Sequence, residues 1–102
     1  MDFQVEFTSR AKKDLDTFPI HVQKHIVKKS LILETEPFSY KKTIKRIRGL
    51  KFPCFRLRIN IENDSIRLFY GIEKNIIYVL RIVSKKDADK IITRIRKQEF
   101  PS

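Results

Sequence analysis

The chain has 102 residues and carries 23 Lys or Arg against 12 Asp or Glu, a formal net charge of +11. That length bounds one hydrophobic core and one domain, 1–102, and an apolar content of 41 % excludes a disordered basic tail. No apolar run nears the roughly 18 residues of a membrane span, residues 1–10 lack the apolar core of a signal peptide, and the single cysteine, Cys54, excludes an intramolecular disulfide and a zinc cluster. The expected setting is the cytoplasm, with anionic partners and no membrane.

Phe3, Val5 and Phe7 alternate with Gln4 and Glu6, which predicts a short opening strand. Thr8 or Ser9 then offers an N-cap, and Ala11, Leu15 and Phe18 recur at helical spacing to about Thr17. Pro19 suits the first turn of a second helix, whose inward positions Ile20, Val22, Ile26, Ser30, Leu31 and Leu33 run to about Glu34. His21 and His25 lie four apart on it; with no third ligand in view they read as a solvated face, so no metal and no cofactor is expected. Strands are predicted at 43–48, 54–61, 65–72 and 75–83, with Asn63-Asp64 and Glu73-Lys74-Asn75 as turn-like links. A third helix starts near Ser84 or Lys85, with Ala88, Ile91, Ile92 and Ile95 as its apolar stripe. The expected fold class is α+β in the order β-α-α-β-β-β(-β)-α, an antiparallel sheet with a helical hairpin on one face and an open basic face on the other.

The stretch 37–61 holds eight Lys or Arg and no Asp or Glu. Within it Phe55, Leu57, Ile59 and Ile61 fall on one side of an extended chain, and Arg56, Arg58 and Asn60 on the other. In the next strand Ile66, Leu68, Tyr70 and Ile72 share one face while Arg67, Phe69 and Gly71 share the other. Arg56, Arg58 and Arg67 therefore converge on the sheet's front. A merely solvated face usually mixes signs, and this one does not. Such a surface suits phosphate. Cys54, beside Phe55, reads as a small buried hydrophobe.

These residues resemble a toxin of the RelE/ParE superfamily, from type II toxin–antitoxin pairs, over nearly the whole chain. Ala11-Lys12-Lys13-Asp14-Leu15 resembles the family's A-x-K-D-L pattern, Ile47-Arg48-Gly49 its L-x-G, and Phe55-Arg56-Leu57-Arg58 its Y-R-L-R. Arg67-Leu68-Phe69-Tyr70 matches R-x-x-Y, and Tyr78-Val79-Leu80-Arg81-Ile82 is similar to the apolar strand that follows. The resemblance implies the fold and a toxin role. Its RelE-like branch cleaves mRNA in the ribosomal A site; its ParE-like branch binds DNA gyrase.

For a ribosome-dependent endoribonuclease, the resemblance implies Arg56, Arg58, Arg67 and Lys85 or Lys86 as catalytic positions, with Arg58 and Arg67 gripping the scissile phosphate. Lys41, Lys42, Lys45, Arg46, Arg48 and Lys51 would dock on ribosomal RNA. The family's late His or Tyr is missing, since Ser84, Asp89, Ile91 and Ile92 fill the candidate positions. Three readings follow: a nuclease that relies on charge and positioning, a degenerate module that occupies the A site, or a gyrase inhibitor. The implied partners are the ribosome, mRNA and an acidic RelB-like antitoxin that folds on binding.

Overall fold

The computed structural model describes residues 2–38 and 42–97. Strand β1 (Gln4–Phe7) leads into helices α1 (Ser9–Asp16) and α2 (Ile20–Ser30), and α2 tightens into a 3-10 turn at Leu31–Glu34. Strands β2 (Ile44–Ile47), β3 (Cys54–Ile61), β4 (Asp64–Glu73) and β5 (Ile76–Ser84) follow. A second 3-10 turn, Lys85–Asp87, opens into helix α3 (Ala88–Ile95). The five strands lie in the order β1-β5-β4-β3-β2. From β2 to β5 they form the expected antiparallel meander. β1 adds a parallel edge, with Gln4 opposite Ile76 and Phe7 opposite Val79, so the whole sheet is mixed.

The local signals act where the sequence places them. Thr8 caps α1 by accepting a hydrogen bond from the Ala11 N–H at 3.1 Å, while its own hydroxyl donates to the Val79 carbonyl at 2.9 Å. Pro19 stands at the N-cap of α2 with extended backbone. The helical stretch expected to reach Glu34 ends as α-helix at Ser30, whose hydroxyl donates back to the Val27 carbonyl. The β3–β4 link is Glu62-Asn63, one residue earlier than expected, because Asp64 already pairs with Ile61. Glu62 and Lys74 take left-handed φ values of 53° and 56° at the two hairpin tips. Gly49, the glycine of the Ile47-Arg48-Gly49 motif, has φ 82°, which favours glycine just beyond β2.

Two apolar clusters flank the sheet. On the back, Ala11, Ile26 and Leu33 from the helical hairpin cover Leu57, Ile59, Leu68, Tyr70, Ile77 and Val79. Tyr70 stacks on Phe55 with ring centroids 5.5 Å apart, and its buried hydroxyl donates to the Pro37 carbonyl at 2.7 Å. On the front, Cys54, Phe69 and Leu80 are covered by Ile91 and Ile95 of α3. The alternation that puts Arg67 on the front puts Phe69 there too, and a buried Phe or Leu stabilises by about 1.5–3 kcal/mol. The stripe of α3 thus packs on its own sheet, and the open basic face is the part of the front that α3 leaves uncovered.

β5 is irregular at this level. Phe69 lies opposite Arg81 and Tyr70 opposite Val79, which makes Leu80 an extra residue. Just past the last β1 pair, α1 takes over the outer edge of β5, and Asp14 accepts hydrogen bonds from the Arg81 Nε at 2.7 Å and the Ile82 N–H at 2.9 Å. Asp14 and Leu15, which carry the resemblance in α1, are therefore an edge cap and a packing residue.

Candidate nucleic-acid interface

Arg58 on β3 and Arg67 on β4 are direct cross-strand partners, and Arg56 lies opposite Phe69 on one side and Lys45 of β2 on the other. Facing residues on antiparallel strands hold their Cβ atoms about 4.5–5.5 Å apart, where like charges repel. Arg67 is only 6 % exposed. Its guanidinium donates to the Ser65 hydroxyl, which in turn donates to the Asn60 side-chain carbonyl at 3.0 Å. The three arginines expected to converge do so.

Among the described residues, no carboxylate lies within ion-pair distance of Arg56, Arg58 or Arg67. Burial lowers the pKa of Arg67, and the charges of Arg56 and Arg58 lower it further. Burial likewise lowers that of Arg56, with Arg58 adding to it. A guanidinium stays protonated in proteins, so these shifts record the free energy of holding unpaired cations together. The Nε atoms of Arg56 and Arg58 are also buried without a hydrogen-bond partner. A buried donor left unmade destabilises by about 1–3 kcal/mol. An anion with several acceptor oxygens relieves both penalties at once, and phosphate has the geometry for bidentate guanidinium contacts.

The remaining expected residues divide. Lys85 and Lys86 occupy the exposed 3-10 turn after β5 and line a cleft of about 700 Å³ at the sheet's end, together with Ser65, Ser84, His21 and Glu62. Lys45 shares the front with Arg56, whereas Arg46 lies on the back, its guanidinium carbon 5.9 Å from the Phe55 ring centroid. The period of two separates these neighbours. Lys42, Arg48 and Lys51 are exposed around β2, and the Arg48 carbonyl accepts from Arg96. Lys41 lies outside the described residues. Of the late positions, the Ser84 hydroxyl donates to Asp87, Asp89 is exposed, and Ile91 and Ile92 pack into the front cluster.

The two histidines, expected on one solvated face, differ in their surroundings. His21 is exposed, 3.4 Å from Glu62, while His25 is half-buried and has its Nε2 buried without a partner. His25, Lys28, Lys29 and Ile32 line a groove along β3 with Arg58. Their i, i+3, i+4, i+7 spacing was the available signal for a shared face.

This architecture recurs in solved structures. The chain is similar to a protein of the toxin–antitoxin complex RelBE2 from Mycobacterium tuberculosis, at 24 % identity over 83 % of this chain and 100 % of that one, with a TM-score of 0.66. It is similar to a chain of the archaeal RelE–RelB complex from Pyrococcus horikoshii OT3, at 20 % identity over 83 % and 97 %, with a TM-score of 0.66. It is also similar to a mutant of the E. coli toxin RelE in the free state, at 20 % identity over 93 % and 99 %, with a TM-score of 0.67. No protein-family model matches the chain, and no curated protein matches it by sequence. The site is a sheet-borne cluster of arginines with no carboxylate partner among the described residues. The fold that carries it is the RelE fold.

Proposed function

We propose that the chain is the toxin of a type II toxin–antitoxin pair, acting as a RelE-like, ribosome-dependent endonuclease on mRNA in the A site. One observation carries this reading: Arg58 and Arg67 face each other on the open half of the front with no carboxylate among the described residues to neutralise them. Repulsion of this kind is retained where a polyanion binds.

In the proposed reaction the ribose 2′-oxygen attacks the adjacent phosphorus, the bond to the 5′-oxygen breaks, and a 2′,3′-cyclic phosphate forms. The 2′-hydroxyl gives up a proton and the departing 5′-oxygen gains one. Arg58 and Arg67 hold the non-bridging oxygens and stabilise charge as it grows on them. Arg56 adds to the field, and Lys85 or Lys86 stands at the end of β5 to meet the leaving group. Catalysis on this account rests on charge and on positioning of the RNA by the ribosome. The lysines and arginines around β2, among them Lys42, Lys45, Arg48 and Lys51, dock on ribosomal RNA.

The partner that neutralises the chain is an acidic antitoxin, RelB-like in kind, that orders as it binds. A second reading, occupation of the A site without cleavage, is favoured by the packing of Ile91 and Ile92 where the family has a proton carrier. A purified translation system with a defined mRNA separates the two. Stopped synthesis with cut mRNA supports the nuclease, stopped synthesis with intact mRNA supports occupation, and unaffected synthesis moves the target to DNA gyrase.

A further inference from the structure

β2 pairs with β3 only from Cys54 to Leu57, and the next contact on that side is the Arg58 N–H donating to the Thr43 carbonyl at 2.8 Å. Beyond it the outer edge of β3 faces α2 across a groove of about 700 Å³. His25, Lys28 and Lys29 stand on its helical wall and Arg58 and Asn60 on its strand wall, with no Asp or Glu among the described residues that line it. Each wall also contributes a buried nitrogen without a hydrogen-bond partner, His25 Nε2 from the helix and Arg58 Nε from the strand. Native folds rarely leave such atoms unpaired, and Arg58 Nε is a donor that lacks an acceptor beside this cationic groove.

We propose that this groove is a second phosphate subsite, occupied by the same RNA strand whose scissile phosphate lies between Arg58 and Arg67. The identity of the polyanion rests on the function proposed above; the anion site itself rests on the groove. Arg58 joins the two, because it faces Arg67 across β3–β4 and also lines the groove. The cations run from β4 to β3 on the front and over the outer edge of β3 to α2 on the back. That is the course of a chain crossing the strands and turning over the sheet's edge, and not of a peptide strand added along it. None of His25, Lys28 and Lys29 lies in the basic stretch 37–61, so the subsite extends the footprint to the helical hairpin.

The test is fluorescence anisotropy of a short single-stranded 2′-O-methyl RNA, which cannot be cleaved, with the intact protein and no ribosome over a series of salt concentrations. Lys28→Gln/Lys29→Gln, both exposed on α2, is expected to weaken binding about tenfold and to flatten the log–log salt slope by about 0.7 per lost contact. His25→Gln is expected to weaken it severalfold. Unchanged affinity and slope in the lysine variant, with binding weakened by Arg67→Ala, overturns the subsite and leaves the arginine face standing. Unchanged binding in both variants overturns the subsite and the arginine face together. Binding of a Glu-rich peptide that the lysine variant loses, while RNA binding is retained, overturns it in favour of a protein partner.

Discussion

Asp14 and Arg81, 67 residues apart in sequence, form a bidentate pair, with Arg81 Nε 2.7 Å from Oδ2 and Nη2 3.2 Å from Oδ1 of the carboxylate. The same Oδ2 accepts the Ile82 N–H, so one side chain both neutralises a buried arginine and caps a strand edge. The contrast with Arg67 is direct. Both arginines are nearly buried on neighbouring strands; one has a carboxylate, and the other, among the described residues, has a hydroxyl and two like charges.

Removing the carboxylate leaves Arg81 buried and unpaired. Asp14→Ala is expected to destabilise the fold by about 3–5 kcal/mol, read from urea unfolding. Asp14→Asn, which keeps an acceptor for the Ile82 N–H, is expected to lose less. A loss below about 1 kcal/mol in the alanine variant would mean that the pair does not hold α1 to the sheet.

Arg67 has the opposite sign. Arg67→Met relieves the repulsion with Arg56 and Arg58 and buries an apolar chain beside Phe69, and is expected to stabilise the isolated protein by about 1 kcal/mol or more while abolishing nucleic-acid binding. Unfolding and anisotropy on the same variant check both halves. A variant that is both less stable and fully binding contradicts the assignment.

Cys54 is fully buried, and burial pushes its thiol up from 9.0 to about 12. The folded state then holds a proton that the unfolded state releases. The stability linked to this group is complete below about pH 9 and declines from there to about pH 12, with a slope of up to about 1.4 kcal/mol per pH unit. Burial shifts Tyr70 in the same direction, so it adds to the alkaline loss. Cys54→Ala is expected to flatten the first part of that decline in an unfolding series run from pH 8 upward.

Ile95 is 1 % exposed and closes the front cluster over Phe69 and Leu80. Ile95→Ala is expected to cost about 2–5 kcal/mol by chemical denaturation. An effect below about 0.5 kcal/mol would show that α3 leaves the sheet in solution.

The arginine face was legible because a strand has a period of two, which fixed the side of Arg56, Arg58 and Arg67 before any pairing was known. What stayed hidden depends on pairing. The side of Arg46 relative to the site is decided by its register against Phe55, and the role of Asp14 by a bulge that places Arg81 beside α1. The parallel position of β1 follows from the helical hairpin carrying the chain from one sheet edge to the other, which periodicity does not encode. His25 has the spacing of a solvated stripe and is half-buried, lining a groove between α2 and the outer part of β3.

In the proposed function Arg58 and Arg67 jointly grip the scissile phosphate of A-site mRNA. The most direct test of this grip is primer extension on a defined mRNA in a purified translation system, with and without ribosomes, comparing the wild type with Arg67→Ala and Arg58→Ala. Cuts within A-site codons that require ribosomes are expected, falling by at least about a hundredfold in either variant. Cuts of wild-type intensity in both variants would contradict it.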